Sequence, residues 1–542
     1  MKTIIRTQKH SEVKGIIVCL MLFIGCVSCT DNFSELNTPD DTIFASDIDE
    51  ARLGKIFATA QRRGYSAREG GLSFQLSENL FADEYSQYFS TTEANFPSAQ
   101  FVVVGSWNNA MFDHFFANVA TQLDFVEDYT EENEMPVENA IAKVWRVHAY
   151  HRMTDFYGPM MYSEVGNAET TVPYDAQEDI YMDFFDTLDE AVEVLSGASG
   201  ISGFAQNDML YAGNIEQWHR FANSLRLRLA TRISYVEPEI AQQEAEKAVA
   251  AGVIEDNMDN ALMLTTENSL HGYPAITYID EFRSTSTLVN TMVSYDDPRI
   301  SLYLDEVEEG GGYRGIRSGL PVTEKGQSLN PDHSRIGLFW RPIEVGGSNP
   351  DIHVLTATEV YFLRAEGELR NWDMGGTEEQ FYNEGIRASM SEYRFNISDD
   401  AIEAYITNTD QPIAVDDQWN SPPMTDIPVL YQPGADEETR LEQIITQKWV
   451  ALYPDGGFEA WAERRRTGYP VGYAIIESLN PDVDRDELMR RLTFTANERS
   501  NNGPAVEDAI DKLGGPDSPA TRVWWDARPL SEFPAPVEDQ NE

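Results

Sequence analysis

Cysteine is nearly absent from this chain, and where it occurs matters more than how much there is. The 542-residue sequence holds three, Cys19, Cys26 and Cys29, all within its first 29 positions. From residue 30 onward there is no disulfide, no thiol nucleophile and no cysteine-ligated metal site. Basic residues are also scarce: 40 Lys and Arg face 91 Asp and Glu, a net charge of −51. So acidic a surface repels nucleic acid and anionic headgroups. It suits a salty medium, where charges are screened beyond roughly 10 Å, and argues for a ligand that is not strongly anionic. The one apolar run near the start, Gly15 to Gly25, is shorter than the roughly 20 residues a membrane span needs. Behind Lys2, Arg6, Lys9 and Lys14 it reads as the apolar region of an export signal. No later stretch is long and apolar enough to cross a bilayer, so residence at a membrane needs an anchor. Cys26 follows Ile24-Gly25 and Cys29 follows Val27-Ser28. Either meets the need for a small residue before an acylated cysteine, and several acyl chains at ~0.8 kcal/mol per buried CH₂ anchor stably. Plain secretion after cleavage near Ser28 is the alternative.

Catalytic signatures are missing as well. No G-x-S-x-G elbow, P-loop or H-E-x-x-H occurs. His148 and His151 are three apart on a predicted helix, which is not enough for a metal site. Asp482, Asp484 and Asp486 alternate as in a calcium loop, but Glu487 stands at the sixth position and Thr493 at the twelfth, which breaks the EF-hand rule. No metal site and no cofactor are predicted, although so acidic a chain has oxygen ligands for a structural Ca²⁺. Paired carboxylates for glycoside hydrolysis carry no information among this many acids.

What is present is length and helical periodicity. The chain exceeds the ~250–300 residues at which single cores stop growing, so several packed units or a helical array are expected. Residues 30–46, with Thr38-Pro39-Asp40-Asp41, read as a turn-rich tether. Pro136 is placed to start a helix whose face carries Val137, Ile141, Val144, Trp145 and His148, and Gly158-Pro159 stops it. Trp218, Phe221, Ala222, Leu225 and Leu229 form a second stripe. A helix pair follows between Thr356 and Tyr393. Thr356 with Glu359, and Thr377 with Gln380, have capping-box spacing. Val360, Leu363 and Gly367 share one face, and Tyr382, Ile386, Met390 and Tyr393 share the other. Two helices in so few residues resemble a tetratricopeptide unit, though no clean period repeats. Trp145, Trp218, Trp449 and Trp461 read as core, and Trp524-Trp525 as a closure near the C-terminus. Arg464, Arg465 and Arg466 beside Glu459 and Glu463 read as an ion-pair network. The long irregular stretches 83–106, 265–285, 305–354 and 409–436 are unusual unless they have a task; the binding surface is placed there.

A series of segments in order then resembles the SusD/RagB family of nutrient-binding outer-membrane lipoproteins, in its second subgroup. These are Cys29-Thr-Asp-Asn-Phe33-Ser-Glu-Leu-Asn37, Thr154-Asp-Phe-Tyr-Gly158, Tyr162-Ser-Glu164, Tyr174 to Tyr181, Trp218 to Leu225, Glu359 to Glu366, Ile386 to Met390, Gln447-Lys-Trp449, Glu459 to Pro470 and Thr521 to Asp526. The first of them favours Cys29 over Cys26 as the lipidated residue. The division is then a lipoprotein signal at 1–28, a tether at 29–46 and one nutrient-binding domain at 47–542. The resemblance implies a mostly α fold, with tetratricopeptide-like helix pairs as scaffold and long loops as ligand surface. It implies a lipid-anchored place on the outer membrane at the cell surface, no catalysis, and a TonB-dependent SusC-like transporter as partner. The implied cargo is glycan; peptide capture, or a largely structural lid, are the other readings.

Sugar binding needs flat aromatic faces with amides or carboxylates at the rim. The excursions offer Tyr88, Phe89, Phe96, Trp107-Asn108, Tyr273, Tyr278, Tyr313, Trp340 and Trp419. Phe96, Trp107, Asn108, Tyr273 and Trp340 are the predicted glycan-binding residues. Phe96 and Trp107 lie where the family often has a binding loop, although Trp107 can equally begin the next helix as a core residue. Tyr273 and Trp340 have few apolar sequence neighbours and are expected to be exposed.

Overall fold

In the computed structural model the described residues are 48–65, 74–167, 171–267, 269–308 and 310–538. The signal segment 1–28, the tether 29–46, Cys26 and Cys29 lie outside them. The chain divides into Met1–Arg52, of which only 48–52 are described, and Leu53–Glu542, which holds every element discussed below.

The principal helices are α1 (Gly105–Phe115), α2 (Thr121–Glu132), α3 (Pro136–Tyr157), α4 (Gln177–Ser196), α5 (Ile215–Arg232), α6 (Pro238–Ala251), α7 (Ala357–Leu369), α8 (Glu378–Met390), α9 (Glu437–Leu452) and α10 (Gly457–Thr467). Helices adjacent in sequence pack on one another from α2 through α6, then α7 on α8 and α9 on α10; α7 also meets α5 and α9, which joins the two series. The protein is therefore mostly α, as predicted. Strand is confined, among the described residues, to β1 (Phe89–Thr91), β2 (Ala261–Met263), β3 (Phe282–Ser284) and β4 (Ile352–Leu355), paired antiparallel as β1–β3 and β2–β4.

Local sequence explains the helix limits. Pro136 occupies the first turn of α3, where a missing N–H costs nothing. Gly158 ends it at φ 81°, a left-handed conformation that suits glycine. Asn214 caps α5 by accepting from the Glu216 and Gln217 amides. Thr356 and Thr377 accept from the amides of Glu359 and Gln380, as their spacing requires. The Trp218-to-Leu229 stripe is wholly buried, as are Trp145, Trp449 and Trp461. Tyr393 departs from expectation: α8 ends at Met390, and the ring beyond it is 65% exposed.

Charge holds the helix series together. Arg228 of α5 donates from Nη2 to Glu359 of α7 at 2.6 Å, and Arg232 pairs with Glu459 of α10. Lys448 of α9 reaches Glu459 at 3.2 Å. Arg466 of α10 bonds both Glu366 and Glu463 at 2.6 Å. All these groups are buried. Burial alone raises the Glu459 carboxyl, but Arg232, Lys448 and Arg228 more than offset it and hold it well below the usual carboxylate range.

The irregular excursions have a core of their own. Tyr88, Phe89, Tyr273, Ile276, Phe282, Trp340, Trp449 and Tyr453 form one buried cluster drawn from four distant parts of the chain. The β1–β3 ribbon lies within it, and β3 is extended by Ser284 N–H donating to the Ser334 carbonyl at 3.0 Å.

Candidate ligand-binding site

The excursion core removes two predicted binding residues from the surface. Tyr273 is 1% exposed, and its hydroxyl bonds Asp83 Oδ2 at 2.8 Å and the Pro454 carbonyl at 2.9 Å. Trp340 is 0% exposed, packed on Tyr303 and Phe339 with the Arg394 guanidinium over its ring. Contacts from distant segments cover both rings, Phe74 and Phe89 on Tyr273 and Tyr303 and Tyr453 on Trp340, and burying such rings is favourable by a few kcal/mol each. Tyr88 and Phe89 are buried for the same reason. Asn108 is also internal: its Nδ2 donates to the Thr493 carbonyl at 2.8 Å and its Oδ1 accepts from the Tyr157 hydroxyl at 2.6 Å. With both ends of the amide engaged and only 2% of the residue exposed, it pins α1 and lies inside the surface.

Phe96 and Trp107 are brought together. Their rings lie 5.2 Å apart, edge to face at 84°, and both are half-buried. Such a pair is worth ~0.5–1.5 kcal/mol beyond its buried area. Trp107 stands in the first turn of α1, its amide donating to the Val104 carbonyl at 3.0 Å. The loop before it is closely tied. Thr92 N–H bonds the Glu281 carbonyl at 2.7 Å, and Lys325 Nζ bonds the Phe96 carbonyl at 2.7 Å. Ser98–Gln100 make one 3₁₀ turn, and Phe101 follows at φ 64°. Gln100 donates to Glu477 at 2.7 Å, and Asn480 to the Phe101 carbonyl at 2.8 Å. Asn95, exposed beside Phe96, holds its amide on Glu93 at 3.1 Å. Flat apolar rings edged by amide and carboxylate groups can stack the C–H face of a pyranose and bond its hydroxyls.

The same loop walls a cavity of about 360 Å³ through Ala99 and Phe101. Its remaining lining comes from Glu84, Tyr85 and Gln87, from Ser318, from the end of α10, from segments 471–475, 485–490 and 530–536, and from Ala520 and Arg522. Sequence reading missed it because its walls come from segments far apart in the chain. The one linear signal, the arginine triplet, was read as a single ion-pair network. Arg466 fits that reading. Arg465 instead lies over the Trp461 and Trp525 rings, at 3.7 and 4.8 Å from their centroids, and Arg464 has no carboxylate partner among the described residues. Other aromatic surface is found at Tyr278 (84% exposed) and at Trp419, half-buried beside His333. The His148 and His151 rings are buried, with Tyr65 Oη 2.8 Å from His148 Nε2, and burial lowers both. Among the described residues no three His, Cys, Asp or Glu side chains gather as a metal site.

Comparison with known proteins decides the family. The model for SusD-like proteins, described as Susd and RagB outer membrane lipoprotein, matches residues 35–526. The chain belongs to the SusD/RagB family. A chitin-binding SusD homologue from Flavobacterium johnsoniae is 33% identical, with a TM-score of 0.80 over 88% of this chain and 99% of that one. A SusD homologue from Bacteroides thetaiotaomicron is 32% identical, with a TM-score of 0.79 and coverage of 88% and 99%. One from Bacteroides uniformis is 30% identical, with a TM-score of 0.78 and coverage of 90% and 100%. No curated protein matches the chain. The SusD fold of stacked helix pairs and long excursions is thus the one described above. Among the described residues no helix is long and apolar enough to cross a membrane.

Proposed function

We propose that this SusD/RagB lipoprotein binds glycan at the outer-membrane surface, held there by acylated Cys29, and passes it unaltered to a TonB-dependent SusC-like transporter. The observation that carries the reading is the likeness to a chitin-binding homologue, at 33% identity over 88% of the chain. The half-buried Phe96–Trp107 pair supports it with a stacking surface of the right chemistry. A millimolar site needs only about −4 kcal/mol, which one or two stacked rings and a few hydrogen bonds supply, and weak binding suits a protein that releases its cargo. The test is calorimetric titration with chito-oligosaccharides and other neutral oligosaccharides. Binding is expected without hydrolysis, and Phe96→Ala with Trp107→Ala is expected to weaken it by about tenfold, or ~1.4 kcal/mol. Unchanged affinity in the double variant would remove the site, and recovery of peptides alone from mixed ligand libraries would remove the glycan reading. For the anchor, Cys29→Ala is expected to move the protein from the membrane fraction to the soluble one. Release by Cys26→Ala instead would transfer the lipid to Cys26.

A further inference from the structure

Arg464 is the odd member of its triplet. It is 5% exposed, and its one hydrogen bond among the described residues runs from Nη1 to the Tyr85 carbonyl at 2.9 Å. Nε is sealed from solvent without a partner. No carboxylate reaches it, although the chain as a whole carries a net charge of −51. Leaving a guanidinium buried and unpaired is unfavourable, which is unexpected in a chain with so many acids to offer.

The side chain lines the 360 Å³ cavity, whose size is within the ~300–1,000 Å³ of small-molecule pockets. Arg490 and Arg522 line it as well, and they share the single carboxylate of Asp526, at 3.1 and 2.7 Å. On the inner wall three guanidiniums therefore stand against the one carboxylate of Asp526, while half-buried Arg485 and the exposed Asp486 and Glu487 complete the charged lining. Glu84 does little to redress this. Burial pushes its carboxyl well above the ordinary range; Oε1 is taken by the Thr91 amide at 3.1 Å, and Oε2 has no hydrogen-bond partner. Burial and the like charge of Arg490 lower Arg464 to about 10, so it remains a cation at neutral pH. The buried Tyr85 hydroxyl is a second polar group beside the cavity with no partner. Phe533 adds an apolar wall, with the Arg490 guanidinium 4.8 Å from its ring centroid. The mouth is open, since Ala520 and Ala535 at its rim are exposed.

We propose that this cavity is a subsite for the carboxylate or sulfate group of an acidic sugar, received by Arg464 with Arg490 and Arg522 behind it. A planar guanidinium fork matches both oxyanions in a bidentate fashion. The inference rests on the glycan reading and deepens it. It also reverses, locally, the expectation drawn from net charge that the ligand is not strongly anionic: the acidic surface sets the long-range field, while the inner wall of the cavity presents a guanidinium that no carboxylate of the described residues answers.

The experiment compares four probes on the purified full chain at fixed ionic strength. They are oligogalacturonate, a sulfated disaccharide, a neutral chito-oligosaccharide and inorganic sulfate, each measured by calorimetry. At least one acidic sugar is expected to bind tenfold or more tightly than the neutral one. Arg464→Gln is expected to abolish that preference and Arg464→Lys to restore part of it, while the chito-oligosaccharide affinity stays unmoved. Because Arg464 is buried, thermal midpoints are recorded for each variant. Ala535→Trp, which narrows the mouth without touching the arginine, is expected to abolish the preference in a protein whose core is unaltered. Retained neutral binding with no acid preference overturns this inference alone, as does a preference that survives both Arg464→Gln and Ala535→Trp. Inorganic sulfate binding as tightly as the acidic sugars overturns the sugar assignment. Loss of the neutral arm with the acid arm intact leaves the cavity proposal standing and overturns the Phe96–Trp107 site.

Discussion

A buried charge is stable only when its surroundings answer it, and this protein contains both the answered and the unanswered case. Glu359, Glu366 and Glu459 meet Arg228, Arg466 and Arg232 in fixed geometry. Glu442 on α9 has no such partner among the described residues. Burial raises its carboxyl to about 7, and a hydrogen bond with Thr425 only partly opposes the rise. A carboxyl raised in the folded state binds its proton more tightly there than in the unfolded chain, so its stabilising contribution fades as pH rises from about 4 through 7. Glu442→Gln is therefore expected to gain stability relative to the parent at pH 8 compared with pH 5, by roughly 1–3 kcal/mol. Denaturant unfolding at the two pH values checks it, and a pH-independent difference would show that the group is not desolvated. At this scale the sequence was least legible. Tyr273 and Trp340 are expected at the surface because they lie in long excursions without helical period, yet their burial is decided by residues far away in the chain. Arg464 looked like its two neighbours in the triplet, and only packing separates it from them.

Elements were far more legible, since capping and periodicity are local. Thr356, Thr377 and Pro136 start their helices, and the buried stripe on α5 follows its spacing. The α7–α8 crossing shows why small residues sit there. A Cβ on Gly385 would lie 2.9 Å from the Phe362 ring, a rigid neighbour. A Cβ on Gly367 would lie 2.6 Å from Met374 Cγ, part of a side chain that can turn away. Gly385→Ala is expected to destabilise by about 1–3 kcal/mol through overpacking, and Gly367→Ala by less despite the shorter distance. Thermal or denaturant unfolding of the two variants orders them. The reverse order would mean that the ring gives way more readily than the thioether. The excursions, without period or caps, could be placed in sequence but not folded from it.

For the whole molecule, the excursions are a second core and not a mobile fringe. β1 and β3 pair at its centre, Thr285 N–H bonds the Tyr88 carbonyl at 3.1 Å, and Trp449 Nε1–H bonds the Ser86 carbonyl at 3.0 Å. Hydrogen exchange is expected to protect amides of 88–91 and 282–288 to a degree comparable with α5, because both open only with large-scale unfolding. Fast exchange there, with α5 protected, would make the ligand surface an independently melting layer. The family resemblance indicated loops as the binding surface; the fold adds that those loops are solidly built.

The loop bearing Phe96 is fastened at Thr92 to the Glu281 carbonyl and at the Phe96 carbonyl to Lys325, and it leads directly into α1, whose first turn carries Trp107. A glycan at the proposed site would meet rings already in position, so little ordering entropy would be forfeited on docking. Capture and discharge there would then need no rearrangement of the polypeptide, which would leave the timing of uptake to the proposed transporter.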